Sequence, residues 1–331
     1  MTTLADPFDP VARPAAEPAP PARRPSQSPW AQALRTPRVR VAGGVLLAVV
    51  LLCVGTLGWT VGGANPRYEA NSSPLVRAGP AGDPAGWFGY DGLGRPLLVR
   101  CLLGGTISLA VGLASATISV VLGVTVGLVA GYRRGWVDAV LMRLVDVLYG
   151  LPYILLVILF KIAFEDPLAR LMTRVFPESG KAAANLIVLF AAIGLVSWLT
   201  MARVVRGQVL SLRGQPFVEA CKALGLPERR IFLRHILPNL VGPITVYATL
   251  TVPAAILQES FLSFLGIGVQ PPLPTWGSLA SDAVQELSPT KLYWWMLTFP
   301  CLLLVVTLLS LNFLGDGLRD VFDPKKEAAK V

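Results

Sequence analysis

The sequence is poor in charge and in the residues that enzymes most often use for chemistry. Only 15% of its 331 residues are Asp, Glu, Lys or Arg, well below the roughly 25% of an average soluble domain. It has one histidine, its four cysteines are scattered, and no phosphate-binding G-x-x-x-x-G-K-[ST] loop occurs. These absences argue against a nucleotide hydrolase, a disulfide framework and a clustered metal site, so we expect no catalytic residue, metal or cofactor here.

The chain is instead rich in long apolar runs. Hydrophobic residues make up 53% of it, and several runs reach the roughly 20 residues that a helix needs to cross a bilayer. We therefore predict an all-α polytopic membrane protein. Its six predicted transmembrane helices cover residues 41–61, 106–130, 141–163, 184–201, 241–265 and 292–314.

The polar segments give a predicted order of regions along the chain. The Pro- and Ala-rich segment 1–37 is predicted to be disordered. The first transmembrane helix lies in 38–62 and a polar extracytoplasmic segment in 63–105. A five-helix core then occupies 106–314, and a short tail follows in 315–331.

The distribution of Lys and Arg predicts the orientation. With six spans and a cytoplasmic N-terminus, the inner segments carry more than twice as many Lys and Arg residues as the outer ones, as the positive-inside rule requires. Both termini are then cytoplasmic. The net charge of +9 is explained by topology and contact with membrane lipid, so we expect no nucleic-acid partner.

A polar, basic segment lies between the fourth and fifth predicted helices. A membrane protein does not need such a segment on its solvent side unless a partner docks there, so we interpret it as a docking site. Its first short helix is predicted over 216–224 and ends at Gly225, which can adopt a left-handed conformation. A second helix is predicted to begin at Pro227 and to be stopped by Pro238.

This segment resembles the EAA loop of the membrane subunits of bacterial ABC importers. The matching residues are Glu219-Ala220, Gly225 and Leu237-Pro238, within a loop at about 205–240. Cys221 replaces the second Ala of the motif, and His235 stands where many members have Ile. In that family the loop docks in a cleft of the ATPase subunit. The resemblance implies docking residues Glu219, Ala220, Ala223, Gly225, Arg229, Arg230, Arg234, His235 and Pro238.

Three further stretches resemble the dipeptide/oligopeptide branch of the same family. Residues 264–277 read FLGIGVQPPLPTWG, residues 312–324 resemble the C-terminal signature of the branch, and 87–95 are a degraded form of its FGTDxxGRD segment. In the first of these stretches Trp276 suits a membrane–water interface. The resemblance implies a type I ABC importer permease fold of six helices.

The resemblance also implies partners and a substrate class. A homologous permease would complete the pathway, ATP-binding subunits would hydrolyse ATP, and an extracytoplasmic binding protein would deliver a dipeptide or oligopeptide. Importers of nickel and of antimicrobial peptides share these motifs and remain alternatives. A secondary transporter working without an ATPase, or a membrane scaffold, is a different alternative that leaves the basic segment unexplained.

Charged residues within predicted helices are candidates for function, because a charge in the bilayer is energetically unfavourable. Asp146 follows Arg143 by three residues, and we predict that they pair. Lys161 is predicted to extend toward the outer interface. Glu259 and its neighbour Gln258 have no basic residue nearby in sequence, so they either face the pathway or a partner, or form interhelical hydrogen bonds.

Small residues recur every four positions in the second predicted helix. At this spacing the small side chains lie on one face of the helix, and a face of small residues lets another helix approach closely in lipid. We expect this face to pack against another helix, either within the chain or across a dimer. Its members are Ser115, Ser119, Gly123 and Gly127.

Overall fold

The structure, a computed structural model, describes residues 36–62, 66–133, 135–287 and 291–322. Across these ranges every extended regular element is helical, and the one β-type contact is an isolated bridge between Tyr90 and Pro96. The all-α prediction is confirmed. The predicted disorder of 1–37 concerns residues that lie almost entirely outside the described ranges.

The helices are numbered in chain order. Their bounds are α1 Pro37–Gly55, α2 Leu57–Val61, α3 Leu97–Arg133, α4 Gly135–Tyr149, α5 Tyr153–Val175, α6 Gly180–Arg213, α7 Pro216–Ala223, α8 Glu228–Ile231, α9 Leu237–Phe264, α10 Trp276–Gln285 and α11 Trp294–Phe322. A π-helical turn, Phe232–Ile236, joins α8 to α9.

Five helical segments of the described chain are long and apolar enough to cross a membrane, and α4 with α5 supplies a sixth if the pair is one span. The continuous helix predicted over 141–163 is wrong, because the chain bends by 95° between α4 and α5. Pro152 explains the break: it has no amide hydrogen, and it disfavours helical geometry at Leu151 before it.

Several predicted boundaries are also wrong. The helix predicted to start at 106 starts at Leu97, and the residues between the helices predicted over 141–163 and 184–201 are mostly the continuation of α5 to Val175. The last helix runs to Phe322 rather than ending at 314. Hydropathy detects the part of a helix that sits in lipid, whereas backbone hydrogen bonding continues beyond it. At about 1.5 Å per residue, α3 is roughly 55 Å long, against about 30 Å of hydrocarbon.

The centre of the bundle is the contact between α3 and α6. A Cβ added at Gly127 would lie 2.6 Å from the Ala202 carbonyl oxygen and 2.8 Å from the Val205 Cβ. Ser115 donates a hydrogen bond to the Phe190 carbonyl of α6 at 3.1 Å. The small-residue face of α3 therefore packs against a helix of the same chain.

The segment between α9 and α11 contains α10, which the sequence did not predict. Thr275 caps it, since its hydroxyl accepts from the Ser278 amide while the Ser278 hydroxyl accepts from the Thr275 amide. Trp276 is fully buried and donates to the Cys101 carbonyl of α3 at 3.1 Å. Trp276 therefore does not present its ring to lipid headgroups, because the indole nitrogen finds its partner inside the bundle.

Candidate functional site

The basic segment, residues 216–236, projects between α6 and α9. Pro216 occupies the first turn of α7, where its missing amide hydrogen is harmless. At the other end Gly225 has φ +73°, and the Leu226 amide donates to the Cys221 carbonyl at 3.1 Å. The Gly225 amide donates to Lys222 at 2.9 Å. This pair of bonds is a Schellman motif, which gives α7 a defined C-terminus.

The second helix of the segment does not stop at Pro238. Helix α8 passes through the π-helical turn directly into α9, and Pro238 lies within the first two residues of α9. The Leu237 amide donates to the Phe232 carbonyl five residues earlier. That wider turn and the position of Pro238 in the first turn of α9 let the helix continue. The basic segment is thus joined without a break to a membrane span.

A small apolar core and one arginine hold the basic segment against the bundle. Val218, Ile231 and Ile236 are buried with residues of α6. Arg213, the last residue of α6, donates to the Tyr132 carbonyl at 2.7 Å and to the Gly131 carbonyl at 3.2 Å. These carbonyls end α3, where a cation interacts favourably with the helix dipole. The segment is therefore anchored to both α3 and α6.

The outer surface of the basic segment is exposed. Of the predicted docking residues, His235 is half-buried, and the exposed ones are Glu219, Ala220, Ala223, Gly225, Arg229, Arg230, Arg234 and Pro238. The three arginines make no ion pair within the described chain. Leu224 is 80% exposed and Phe217 39% exposed. The sequence did not identify Leu224 and Phe217 as candidate docking residues, although a large apolar residue in so polar a segment could have indicated them.

Glu259 lies near the C-terminus of α9, at the other end of that helix from the basic segment, and is completely buried. Its carboxyl oxygens accept from Ser108 of α3 at 3.0 Å and from Ser263 at 2.6 Å. Gln258, beside it, accepts from Ser197 of α6 at 3.2 Å. Both side chains therefore make interhelical hydrogen bonds, which is one of the two alternatives that the sequence left open.

Ion pairs fix α4 to α6. Asp138 accepts two hydrogen bonds from Arg206, at 2.5 and 2.6 Å, in the bidentate geometry that makes such pairs strong. Asp146 pairs with Arg203 at 2.8 Å, so the predicted pairing with Arg143 is wrong. The bend at Pro152 carries α4 across α6, which brings a partner from another helix closer than the one on the same helix.

Lys161 does not extend toward the interface as predicted. Its side chain is buried, and its ammonium donates to the Ile267 carbonyl at 2.6 Å and to the Gly268 carbonyl at 2.9 Å. Glu165 lies 3.7 Å from it and accepts from Asn185 at 2.7 Å. This cluster connects α5 and α6 to the turn after α9.

A second cluster lies near the start of α3, and so at the opposite end of that helix from the basic segment. Asp91 accepts from Arg100 at 2.6 Å and from Arg95 at 2.7 Å, and Arg100 reaches Asp282 of α10 at 3.4 Å. Burial by itself would raise the pKa of Asp91, but the Arg100 guanidinium and the bonds from Arg95 hold it below its ordinary value. Burial raises the pKa of Asp282, although Arg100 opposes the shift.

The chemistry available at these sites is recognition and mechanical support. Among the described residues, no group of three or more His, Cys, Asp and Glu side chains is placed to hold a metal ion. The residues that the sequence predicted to dock a partner lie on or directly beside the basic segment, and all of them except His235 are exposed. Glu259 and Gln258 are separate from that segment and belong to the packing of the spans.

Comparison with known proteins places the chain among transport components. Residues 123–328 match the family described as binding-protein-dependent transport system inner membrane component. The oligopeptide transport system permease protein OppC of Haemophilus influenzae is 41% identical over 87% of this chain and 85% of that protein. The dipeptide transport system permease protein DppC of Bacillus subtilis is 44% identical over 72% of this chain and 68% of that protein.

The fold comparison agrees with the family match. A solved structure of the MetNI methionine ABC transporter in an inward-facing conformation superposes with a TM-score of 0.51 at 19% sequence identity. The superposition covers 68% of this chain and 98% of that one. The predicted ABC importer permease fold is confirmed.

Proposed function

Since the chain belongs to the family of inner membrane components of binding-protein-dependent transport systems, we propose that it is the permease subunit of an ATP-driven importer of dipeptides or oligopeptides. It is a multi-pass membrane transport subunit, and its relatives are named as permeases rather than as enzymes. Hydrolysis of ATP then takes place on separate subunits. The substrate class is supported by relatives named for oligopeptide, dipeptide and glutathione transport.

The observation that carries the proposal is the anchored and exposed basic segment. Force applied to α8 reaches α9 through a helix that has no break at Pro238. Force on the whole segment reaches α6 and α3 through the apolar core that buries Val218, Ile231 and Ile236. A docking site must present apolar surface to its partner, and Leu224 and Phe217 supply it. The segment is thus suited to receive an ATPase subunit and to move the spans, which is what alternating access requires.

The orientation follows from the same assignment. The basic segment faces the cytoplasm, as do both chain termini, and the Asp91 cluster lies at the outer end near the position of an extracytoplasmic binding protein. Because the small-residue face of α3 is already covered by α6, a homologous permease must pack elsewhere. The exposed Leu155, Leu159 and Ile162 of α5 offer such a surface.

The proposal is tested with Leu224→Asp, because a carboxylate buried in an apolar cleft without a partner is unfavourable. We expect association with the ATPase subunits to weaken by at least about 2 kcal/mol, or roughly thirtyfold. Peptide uptake should fall with it. Leu93→Asp is the matched control, since Leu93 is also exposed, at 55%, but lies near the Asp91 cluster. It should leave co-purification with the ATPase unchanged.

Two results would count against this function. Leu224→Asp could leave both co-purification and uptake intact, which would remove the coupling role. Alternatively, a cysteine placed at Leu224 could react in whole cells with a reagent that does not cross the membrane, which would put the basic segment outside. Competition by unlabelled peptides and by nickel then decides the substrate class.

A further inference from the structure

A large apolar groove lies between α1 and α11, in a part of the chain that the proposed transport function does not use. Its volume is about 750 Å³. It is lined by Pro37, Arg38, Val41, Ala42, Val45, Val306, Leu309, Ser310 and Phe313. The Ser310 hydroxyl is occupied by a 2.7 Å hydrogen bond to the Val306 carbonyl. The groove wall is therefore hydrocarbon, with a single charge contributed by Arg38.

That charge lies at one end of the groove. Arg38 is in the first turn of α1, a helix long and apolar enough to be a membrane span, so a bilayer around that span would have its headgroups at the level of the guanidinium. It is exposed and makes no ion pair with any described residue. Basic residues beside pockets between spans are typical of sites for anionic lipid headgroups.

Helix α1 also needs something to fill the space beside it. Only Val39, Ala42, Val49 and Cys53 of α1 are buried, so its contact with the bundle is narrow. An apolar groove offers no hydrogen bonds to water, and leaving it empty would forfeit dispersion contacts along both helices. A flexible hydrocarbon chain fills such a space without requiring a complementary surface.

We propose that this groove binds one anionic phospholipid, with an acyl chain between α1 and α11 and the phosphate at Arg38. A transmembrane helix of another protein is the competing occupant, but it would bury the unpaired Arg38 charge, which is unfavourable unless a carboxylate accompanies it. A lipid supplies the apolar chain and the negative charge in one molecule. The inference does not depend on the proposed transport activity.

Native mass spectrometry of the purified full-length chain, exchanged into phosphatidylglycerol or phosphatidylcholine, tests the site. We expect one phosphatidylglycerol to be retained in preference to phosphatidylcholine. Arg38→Gln should weaken that retention about fivefold, the equivalent of about 1 kcal/mol for one basic residue near an anionic surface. Arg40→Gln is the matched control, because Arg40 is an exposed arginine of the same turn that does not line the groove.

A second variant separates the site from general electrostatic attraction. Val45→Trp fills the groove and should reduce retention of phosphatidylglycerol while Arg38 is intact. A photo-crosslinker at Phe313 should label lipid. The proposal is overturned if Arg38→Gln and Arg40→Gln lower retention equally, if the two lipids are retained equally, or if the crosslinker at Phe313 labels a second protein chain instead of lipid.

Discussion

Replacement of Glu259 tests whether this buried acid is a structural hydrogen-bond acceptor. In Glu259→Leu, the hydroxyls of Ser108 and Ser263 lose their acceptor inside the bundle. Each buried donor left unsatisfied costs about 1–3 kcal/mol, and the added apolar side chain offsets part of that. We expect a net loss of about 2–4 kcal/mol. In Glu259→Gln, the amide oxygen still accepts and the amide nitrogen donates to hydroxyl lone pairs, so the change should stay below about 1 kcal/mol.

Thermal unfolding in detergent, followed by tryptophan fluorescence, measures the difference. At about 2–4 °C per kcal/mol for a large domain, Glu259→Leu should lower Tm by roughly 4–16 °C, and Glu259→Gln by no more than about 4 °C. Gln258→Leu is a control that should lower Tm by less, because Gln258 loses a single hydrogen bond, from Ser197, which is longer and only half-buried. The reasoning is refuted if Glu259→Gln destabilises as much as Glu259→Leu. Loss of uptake in a stable, assembled Glu259→Gln would instead place the acid in the pathway.

Three further predictions follow from the same contacts. Gly127→Ala should destabilise the bundle by about 1–3 kcal/mol, because its Cβ would meet α6 backbone, whereas Gly207→Ala, with open space around it, should be neutral or stabilising by thermal unfolding. The folded-state pKa of Asp91 lies below 3.8, so the stability that Asp91 contributes is present above pH 3.8 and disappears as the pH falls through the lower folded pKa. Asp91→Asn should therefore lower stability at neutral pH and make stability depend less steeply on pH in the acid range. Asp282→Asn should do neither, because the pKa of Asp282 is raised in the folded state. Lys161→Met should cost about 2–4 kcal/mol, since two carbonyls lose a charged donor, and an unchanged Tm would contradict the role assigned to this buried lysine.

The candidate docking surface was largely predictable because its determinants are local. Gly225 ends α7 through its own backbone conformation, and Pro216 begins it through its fixed φ. Neither effect depends on distant parts of the chain. The continuation past Pro238 was not predictable, because a proline in the first turn of a helix and one that ends a helix look the same in a sequence. The choice is made by the π-helical turn before it.

The partners of charged side chains were also beyond the sequence. Asp146 has Arg143 three residues away, yet it pairs with Arg203, because the bend between α4 and α5 lays α4 across α6. Lys161 finds carbonyls more than a hundred residues later in the chain. Such contacts depend on where helices cross, and no local pattern contains that information.

Composition and periodicity alone determined that this chain is helical, crosses a membrane several times and carries a basic segment between two spans, because the hydrophobic effect and backbone hydrogen bonding act on each segment by itself. Only the tertiary structure decided that α6 covers the small face of α3, that Glu259 is satisfied by serines of two helices, and that a groove with one arginine remains beside α1. These features arise from how helices are placed against each other, and that placement minimises unpaired polar groups and empty space over the whole bundle rather than within any one segment.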